Sequence, residues 1–474
     1  MNMHASQLAT VDYKFPPSAF HAQKVTAALF IENKRAYCLN DLGTGKTRSV
    51  LFAFDALRKA GMAHRMLVIC PLSAMQRTWR REIMFNLPWL KCVILHGTKQ
   101  KRSLRLRLDV DVYIINHKGL EIIYDELIER NDIDVVGVDE AAVYRNGRSD
   151  LTQVLRDYVR PKPYVWALTG SPMPRAVTDV WGPCSCLTPW TVPRFFTIFR
   201  DQLMIKLDTQ GWKWRPKPDA EERAVACMQP SVRFRLDDVT ELPPRVTSYY
   251  EAELTPKQQK VYDGMRQKAI ALVGEHKIDA LNAGAVLSKL LQIAIGYVYT
   301  REGRTIHIDN TPRLQLILDL IDSASKKVIL FAPFKSAVAA LDVMLTENKI
   351  SHAVVTGDVL TTKRDSIFGD FQDTPRYKVL LAHPVCMSHS LTLTAANTTI
   401  WAGPVTSLET FTQANGRTYR VGQDAKTLVA MCGGTPMEKR IYKLLGHNEQ
   451  LQNRFLEIVE AITSDDENRD NSSE

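Results

Sequence analysis

The stretch Asn40-Asp41-Leu42-Gly43-Thr44-Gly45-Lys46-Thr47 decides how this chain is read. Its outline is that of a phosphate-binding loop. Ala36-Tyr37-Cys38-Leu39 before it is a short apolar run of strand type. Residues 49–57 after it carry apolar side chains at helical spacing. Gly43 and Gly45 let backbone N–H groups turn inward around phosphate oxygens. Lys46 brings a point charge for β- and γ-phosphates, and Thr47 a hydroxyl for Mg²⁺. A helix N-terminus behind the loop adds partial positive charge. The expected contact set is Gly43, Thr44, Gly45, Lys46, Thr47 and Arg48. The stricter form of the pattern has Gly where Asn40 stands, and a plain Gly-rich turn is the competing reading.

A length of 474 residues suggests about three domain-sized units, and 45% hydrophobic residues is the composition of a globular protein with large cores. With 61 Lys+Arg against 52 Asp+Glu, the formal charge of +9 and the pI near 9.0 favour a polyanionic partner. Of the eight cysteines only Cys184 and Cys186 lie close. Cys-x-Cys without a second pair reads as free thiols in a reducing compartment rather than as zinc ligands. Residues 1–6 lack the apolar core of a signal peptide. No run of about 18 apolar residues occurs, so no membrane span is expected.

Upstream of the loop, Phe15-Pro16-Pro17 gives way to a helical stretch carrying Gln23. Its amide can donate and accept at once, as an adenine edge requires. Downstream, residues 66–70, 92–95 and 112–115 read as strands, the first and last leading to Ser73 and to Asn116-His117. The basic run 99–107 reads as a solvated helix face or as a DNA contact. Residues 134–140 form the second strong site: a buried strand that delivers Asp139 and Glu140 at its carboxyl end, where open α/β sheets bind ligands. Asp139 suits Mg²⁺, and Glu140 suits deprotonation of an attacking water. Residues 164–168 repeat the logic with Thr169-Gly170-Ser171-Pro172. Thr169 and Ser171 are placed to hydrogen-bond the acids and sense a γ-phosphate, unless this is an ordinary turn.

From about Trp181 to Pro244 Trp and Pro become frequent. Residues 210–218 mix basic and aromatic side chains, as a base-stacking loop or an irregular hairpin does. Helices begin at Leu254-Thr255-Pro256, with Pro in the first turn, and continue through Ile293. A second α/β unit follows, with strands at 327–332, 378–382 and 398–401 and no second phosphate loop. Instead, residues 413–423 place Arg417 and Arg420 at i, i+3, on one face if helical. Two such Arg could reach across a cleft to a γ-phosphate, as arginine fingers do. Residues 464–470 are acidic and polar, and disorder is expected there.

Together these motifs resemble helicase superfamily two, and within it the Swi/Snf-type DNA translocases, over roughly residues 15–446. Asp41 to Thr47 is similar to that family's motif I, Asp139-Glu140-Ala141-Ala142 to motif II, Leu168 to Pro172 to motif III and Gln413 to Gln423 to motif VI. The subgroup is marked by Val232-Arg233-Phe234-Arg235, Asp238-Val239, Leu242-Pro243-Pro244 and the pair Gln258 and Tyr262. Two departures stand out. Ala142 replaces the usual His of motif II, and Ser390-Leu391-Thr392-Leu393-Thr394 replaces Gly-Leu-Asn-Leu-Thr of motif V. The chain is similar to compact translocases encoded by bacteriophages and mobile elements, so the expected location is the cytoplasm of a bacterial cell or a phage-infected host.

The resemblance implies an α/β fold of two RecA-like parallel-sheet lobes, 1–180 and 300–446. Helical insertions would occupy 181–299, and a helix and acidic tail 447–474. It implies ATP and Mg²⁺. Lys46, Asp139, Glu140, Arg417 and Arg420 would be catalytic, Thr47 and Asp139 would hold the metal, and Thr169, Ser171 and Gln413 would couple the lobes. Phosphate contacts to DNA are expected at strand ends on the face away from the nucleotide loop: Ser73, Asn116, His117, Phe334, Lys335 and Thr394. The implied activity is tracking on duplex DNA, with no role for a membrane. A strand-separating helicase on DNA or RNA and a non-hydrolysing, nucleotide-gated scaffold are the alternatives. A small-molecule kinase would leave the second lobe and its Arg pair unexplained.

Overall fold

The computed structural model describes residues 13–207, 214–239, 242–274, 280–299, 304–387 and 392–446. Residues 1–6, positions 210–213 of the basic aromatic loop, Ser390 and Leu391 of the fifth motif, and the stretch 447–474 lie outside them.

In the first part of the chain the apolar runs form β1 (Arg35–Cys38), β2 (Arg65–Cys70), β3 (Cys92–Leu95), β4 (Val112–Asn116), β5 (Ile133–Asp139) and β6 (Tyr164–Leu168). Alternate residues enter opposite cores. Ala36, Cys38, Met66, Val68 and Val135 pack on one face with Phe30, Val50 and Phe54 of the helices His21–Glu32 and Lys46–Lys59. Tyr37, Leu67, Ile69, Val136 and Val138 pack on the other with Leu120, Leu155 and Tyr158. With both faces covered, the strands are apolar throughout instead of alternating.

A two-stranded antiparallel hairpin of β7 (Met204–Lys206) and β8 (Trp214–Pro216) follows, with the Arg200 guanidinium 3.9 Å from the Trp214 ring centroid. The described part of the aromatic basic segment is therefore a packed hairpin. Next, β9 (Ser231–Val232) pairs in parallel with β1 and completes a seven-stranded sheet of order β3-β4-β2-β5-β6-β1-β9, parallel throughout.

Contacts divide the chain into two compact units, residues up to 241 and residues from 242 on apart from 389–391. Residues 214–239 therefore belong to the first unit, and the helices Pro256–Gly274 and Ala280–Ile295 to the second. The second unit holds β10 (Arg245–Glu251), the hairpin β11 (Tyr297–Tyr299) and β12 (Thr305–His307), then β13 (Lys327–Phe331), β14 (His352–Val355), β15 (Val379–Ala382), β16 (Ala396–Trp401) and β17 (Thr427–Gly433). Its six-stranded sheet, β10-β17-β16-β13-β15-β14, is also parallel throughout. The architecture is the α/β fold of two RecA-like lobes.

Two polar contacts hold the second unit from inside. Gln258 Nε2 donates to the carbonyls of Ile293 and Ala294 at 2.8 and 2.9 Å, satisfying the last turn of the helix Ala280–Ile295. Tyr262, one turn on, is buried. The Gln258 and Tyr262 signature is thus a packing device. Arg313 and Glu438 form a bidentate buried pair at 2.7 and 2.9 Å, with Arg313 also donating to Ala402 O and Glu438 accepting from Gly434 N. Such a pair is tolerable because its hydrogen bonds are made.

All eight cysteines are free. No helix among the described residues is long and apolar enough to cross a membrane.

Candidate nucleotide site

The loop leaves β1 at its carboxyl end and runs into the helix Lys46–Lys59. Gly43 and Gly45 take φ of 90° and 82°, a region that side chains with Cβ rarely adopt. At Gly45 a Cβ would also fall 1.9 Å from Gln23 Nε2. The Gln23 amide therefore lies against the loop, and its Oε1 accepts from Phe20 N at 3.1 Å. Thr44 closes the loop from within by donating to Asp41 O at 2.9 Å. Lys46 Nζ folds back across it and donates to Asn40 O at 2.7 Å and Asp41 O at 3.0 Å. Thr47 follows in the first helical turn. Arg48 Nε is held by Glu82 Oε2 at 2.7 Å.

Asn40 is fully buried. Its Nδ2 donates to Thr26 Oγ1 and its Oδ1 accepts from Phe234 N. Asp41 N in turn donates to Phe234 O, and Asp41 Oδ2 accepts from Leu236 N. The Arg-rich signature around Phe234 is therefore a brace along the loop. A Gly at position 40 would lose both side-chain bonds.

Asp139 ends β5 and shares the parity of Val135, so it enters the core that holds the loop's helix. In register it stands opposite Leu168 of β6, which stands opposite Cys38 of β1. The acid and the loop are thus two strands apart at one sheet edge. Trp79 Nε1 donates to Asp139 Oδ2 at 2.9 Å, and Glu140 N to Oδ1 at 3.0 Å. Burial first, and then the Glu140 charge, push the Asp139 carboxyl up to about 6. Glu140 itself sits at φ 51°, ψ 52°, a left-handed conformation unusual for a residue with Cβ and often found at functional sites. Between these elements, a Cβ on Gly170 would be 3.4 Å from Lys46 Nζ and 3.6 Å from Asn40 O, so this turn lies against the loop. Thr169 Oγ1 accepts from Ser171 N at 3.2 Å.

These residues fit Mg²⁺ and a nucleotide triphosphate. The positive-φ glycines turn the loop into the start of the helix Lys46–Lys59, where its first N–H groups and Lys46 suit phosphate oxygens. The crowded Asp139 and Glu140 carboxylates are a pair whose repulsion a divalent cation relieves. Each Asp139 oxygen keeps a lone pair beyond the bond it accepts here.

In the second unit the helix Leu408–Asn415 ends before the Arg pair. Arg417 and Arg420 lie in the turn after Gly416, which corrects the expectation that helical spacing puts them on one face. Arg417 is buried and Arg420 half-buried. The turn is fixed by Gln423 Nε2, which donates to Thr418 O and Ala396 O, and by Arg417 O, which accepts from Leu393 N. Gln413 donates to Glu409 at 3.1 Å.

In the first unit the strand-end candidates lie at the same sheet edge as the loop. Because the first sheet is parallel, Ser73 after β2 and Asn116-His117 after β4 share the carboxyl edge with Asp139, on its other side from the loop. Asn116 accepts from Arg102, and His117 Nδ1 meets Tyr144 OH at 2.9 Å. Ser73 Oγ is buried without a partner. In the second unit, Phe334 and Lys335 follow the carboxyl end of β13, and Lys335 pairs with Asp358 at 2.8 Å. Thr394 instead precedes the amino end of β16, at the opposite edge of that sheet, with its Oγ1 accepting from Gln372. In the basic run, Arg102 and Arg105 cap backbone carbonyls, which favours a structural role for those two.

The SNF2-related domain family matches residues 33–295, more than half of the chain. The chain belongs to the SNF2-related family. The helicase conserved C-terminal domain matches residues 312–422. Over 447 residues this SNF2-related chain is 24% identical to a protein named uncharacterized ATP-dependent helicase of Mycoplasma genitalium, covering 90% of this chain and 40% of that one. It is 24% identical over 326 residues to protein p41 of Acyrthosiphon pisum secondary endosymbiont phage 1, covering 64% and 69%. It spans about two fifths of the length of the Mycoplasma helicases it matches. A solved Sulfolobus solfataricus SWI2/SNF2 ATPase core in complex with dsDNA is 20% identical, with 92% of each chain covered and a TM-score of 0.44.

Two residues of this SNF2-related site carried no sequence signal for their contacts. Trp79 belongs to no motif read from the sequence, and Asn40 reads there only as a departure. Both act through partners distant in sequence, on β5, at Thr26 and at Phe234.

Proposed function

We propose that the chain hydrolyses ATP and uses the cycle to track along duplex DNA. The observation that supports this most is the convergence, at one sheet edge, of a positive-φ glycine loop, its lysine, the buried Asp139 with the half-buried Glu140 beside it, and a turn packed against that lysine. In this reading Lys46 exchanges its carbonyl bonds for β- and γ-phosphate oxygens. The backbone around Gly43, Thr44 and Gly45 cradles the phosphates, Arg48 flanks them, and Gln23 meets the base. Thr47 and Asp139 hold Mg²⁺, which when bound neutralises phosphate charge.

Glu140 takes the proton of the water whose oxygen attacks the γ-phosphorus, and the bond to the β–γ bridging oxygen breaks. Thr169 and Ser171 report the γ-phosphate, with Gln413 as their counterpart. Arg417 and Arg420 stabilise the charge that develops in the transition state. The net charge of +9 and the Swi/Snf-type signature support DNA as the track. A motor that tolerates any sequence makes phosphate contacts. Ser73, Asn116, His117, Phe334, Lys335 and Thr394 are the proposed contacts.

The test is ATP turnover with duplex DNA, single-stranded DNA and RNA at two salt concentrations, beside triplex-displacement and fork-unwinding assays. Duplex-stimulated, salt-sensitive turnover with displacement and no unwinding is expected, the salt effect reflecting counterion release. Unwinding stimulated only by single strands would replace the translocase with a helicase. ATP binding without turnover would leave a nucleotide-gated scaffold.

A further inference from the structure

Residues Met75–Arg80 wind as a π-helix between the turn after β2 and the helix Arg81–Asn86. A π turn inserts an extra residue into the helical repeat and commonly marks a functional position. Here it carries Trp79, whose indole is fully buried in the core beneath the nucleotide loop. Its Nε1 donates to Asp139 Oδ2 at 2.9 Å. An indole N–H can only donate. The bond therefore favours the ionised carboxylate and holds its remaining lone pairs in one orientation.

Three residues further on, Glu82 holds Arg48, the neighbour of Thr47, at 2.7 Å. One continuous segment thus grips both elements that would hold the metal, the acid strand and the helix behind the loop. The same segment starts beside Ser73, whose buried hydroxyl has no partner. The core around the indole is apolar, so packing calls for its bulk but not for its nitrogen.

We propose that Trp79 is a positioning residue for the metal-holding carboxylate of Asp139, and that the Met75–Arg80 turn couples the segment after β2 to the nucleotide site. The inference rests on the ATPase reading above.

Trp79→Phe in the full chain tests it, since an aromatic ring stays and the donor goes, and the Leu87→Ala cavity control accounts for the lost volume. Binding of a fluorescent ATP analogue is measured without metal and across a Mg²⁺ titration. Mn²⁺ binding in the presence of ADP is followed by electron paramagnetic resonance. Metal-free nucleotide affinity should stay within about twofold of wild type. The Mg²⁺ half-saturation should rise by about tenfold or more, with Mn²⁺ affinity falling in parallel, the usual loss when a ligand's supporting hydrogen bond is removed. Leu87→Ala opens a cavity in the same core without touching Asp139 and should leave the Mg²⁺ requirement unchanged. If Trp79→Phe does not fold, Trp79→Met takes its place. Wild-type Mg²⁺ dependence in the Trp79 variant, or an equal shift in Leu87→Ala, overturns the proposal. A wild-type chain that binds no nucleotide overturns the ATPase reading itself, which separates the two failures.

Discussion

Asn40 Oδ1 accepts a hydrogen bond from Phe234 N at 2.9 Å, across 194 residues of sequence, while its Nδ2 donates to Thr26 Oγ1 at 3.1 Å. One buried amide thus ties the nucleotide loop to the helix before it and to the segment just after the strand that closes the sheet. Asn40→Gly restores the stricter loop pattern yet leaves the half-buried Phe234 N–H without its acceptor, at a cost of about 1–3 kcal/mol. The expected outcome is a melting temperature lower by roughly 2–10 °C, together with weaker ATP binding. Calorimetry with and without nucleotide checks this, and a glycine variant as stable as wild type would contradict it.

Gly45 faces two obstacles to substitution, a φ of 82° and the nearby Gln23 amide. Gly45→Ala should lose nucleotide binding and about 1–2 kcal/mol of stability. Adding Gln23→Ala relieves the contact but not the backbone strain. The double variant should therefore stay less stable than Gln23→Ala alone, as read by denaturant titration. Full recovery in the double variant would show that crowding, not φ, is the constraint.

What could be read in advance was what the backbone demands locally. Gly43, Gly45 and Lys46 announce a phosphate loop because few other residues tolerate that geometry beside a helix start. A strand ending in Asp-Glu is common, and Asp139-Glu140 stands out by its place downstream of Lys46 with strands and helices alternating between. Other features depend on partners remote in sequence. Ser231–Val232 is too short to show a strand pattern, and pairing with β1 makes it one. The i, i+3 spacing of Arg417 and Arg420 suggested a helix, but Gly416 follows its last turn and a buried Gln423 network sets the conformation instead. The hydrogen bond from Trp79 to Asp139 joins a π turn to a strand, and no local pattern signals it.

Arg313 and Glu438 are both buried and bidentate. Arg313→Met leaves the Glu438 carboxylate without its counter-charge and should destabilise the protein by about 3–5 kcal/mol. Adding Glu438→Gln removes the stranded charge while an amide oxygen can still accept from Gly434 N. The double variant should recover much of the loss in chemical denaturation. A double variant no more stable than Arg313→Met alone would mean the charge is not what is costly.

Arg417 and Arg420 differ in burial and should differ in phenotype. Arg417→Ala empties a buried site and should lower stability as well as rate. Arg420→Ala should leave ATP affinity and melting temperature near wild type and slow hydrolysis on the order of 10³-fold, the effect of losing an arginine finger. Equilibrium nucleotide binding beside steady-state turnover separates the two. Equal loss of binding and rate in Arg420→Ala would argue for a ground-state contact instead.

The central claim is that this sheet edge hydrolyses ATP with Glu140 as the base, in response to DNA. The most direct test is ATP turnover and ATP binding by wild type and Glu140→Gln, each with and without duplex DNA. The amide keeps the size and backbone geometry of the acid and cannot take a proton. The account predicts duplex-stimulated turnover in wild type, and in the variant near-normal ATP affinity with turnover reduced by about 10²-fold or more, with or without DNA. Turnover by Glu140→Gln at the wild-type rate would contradict it.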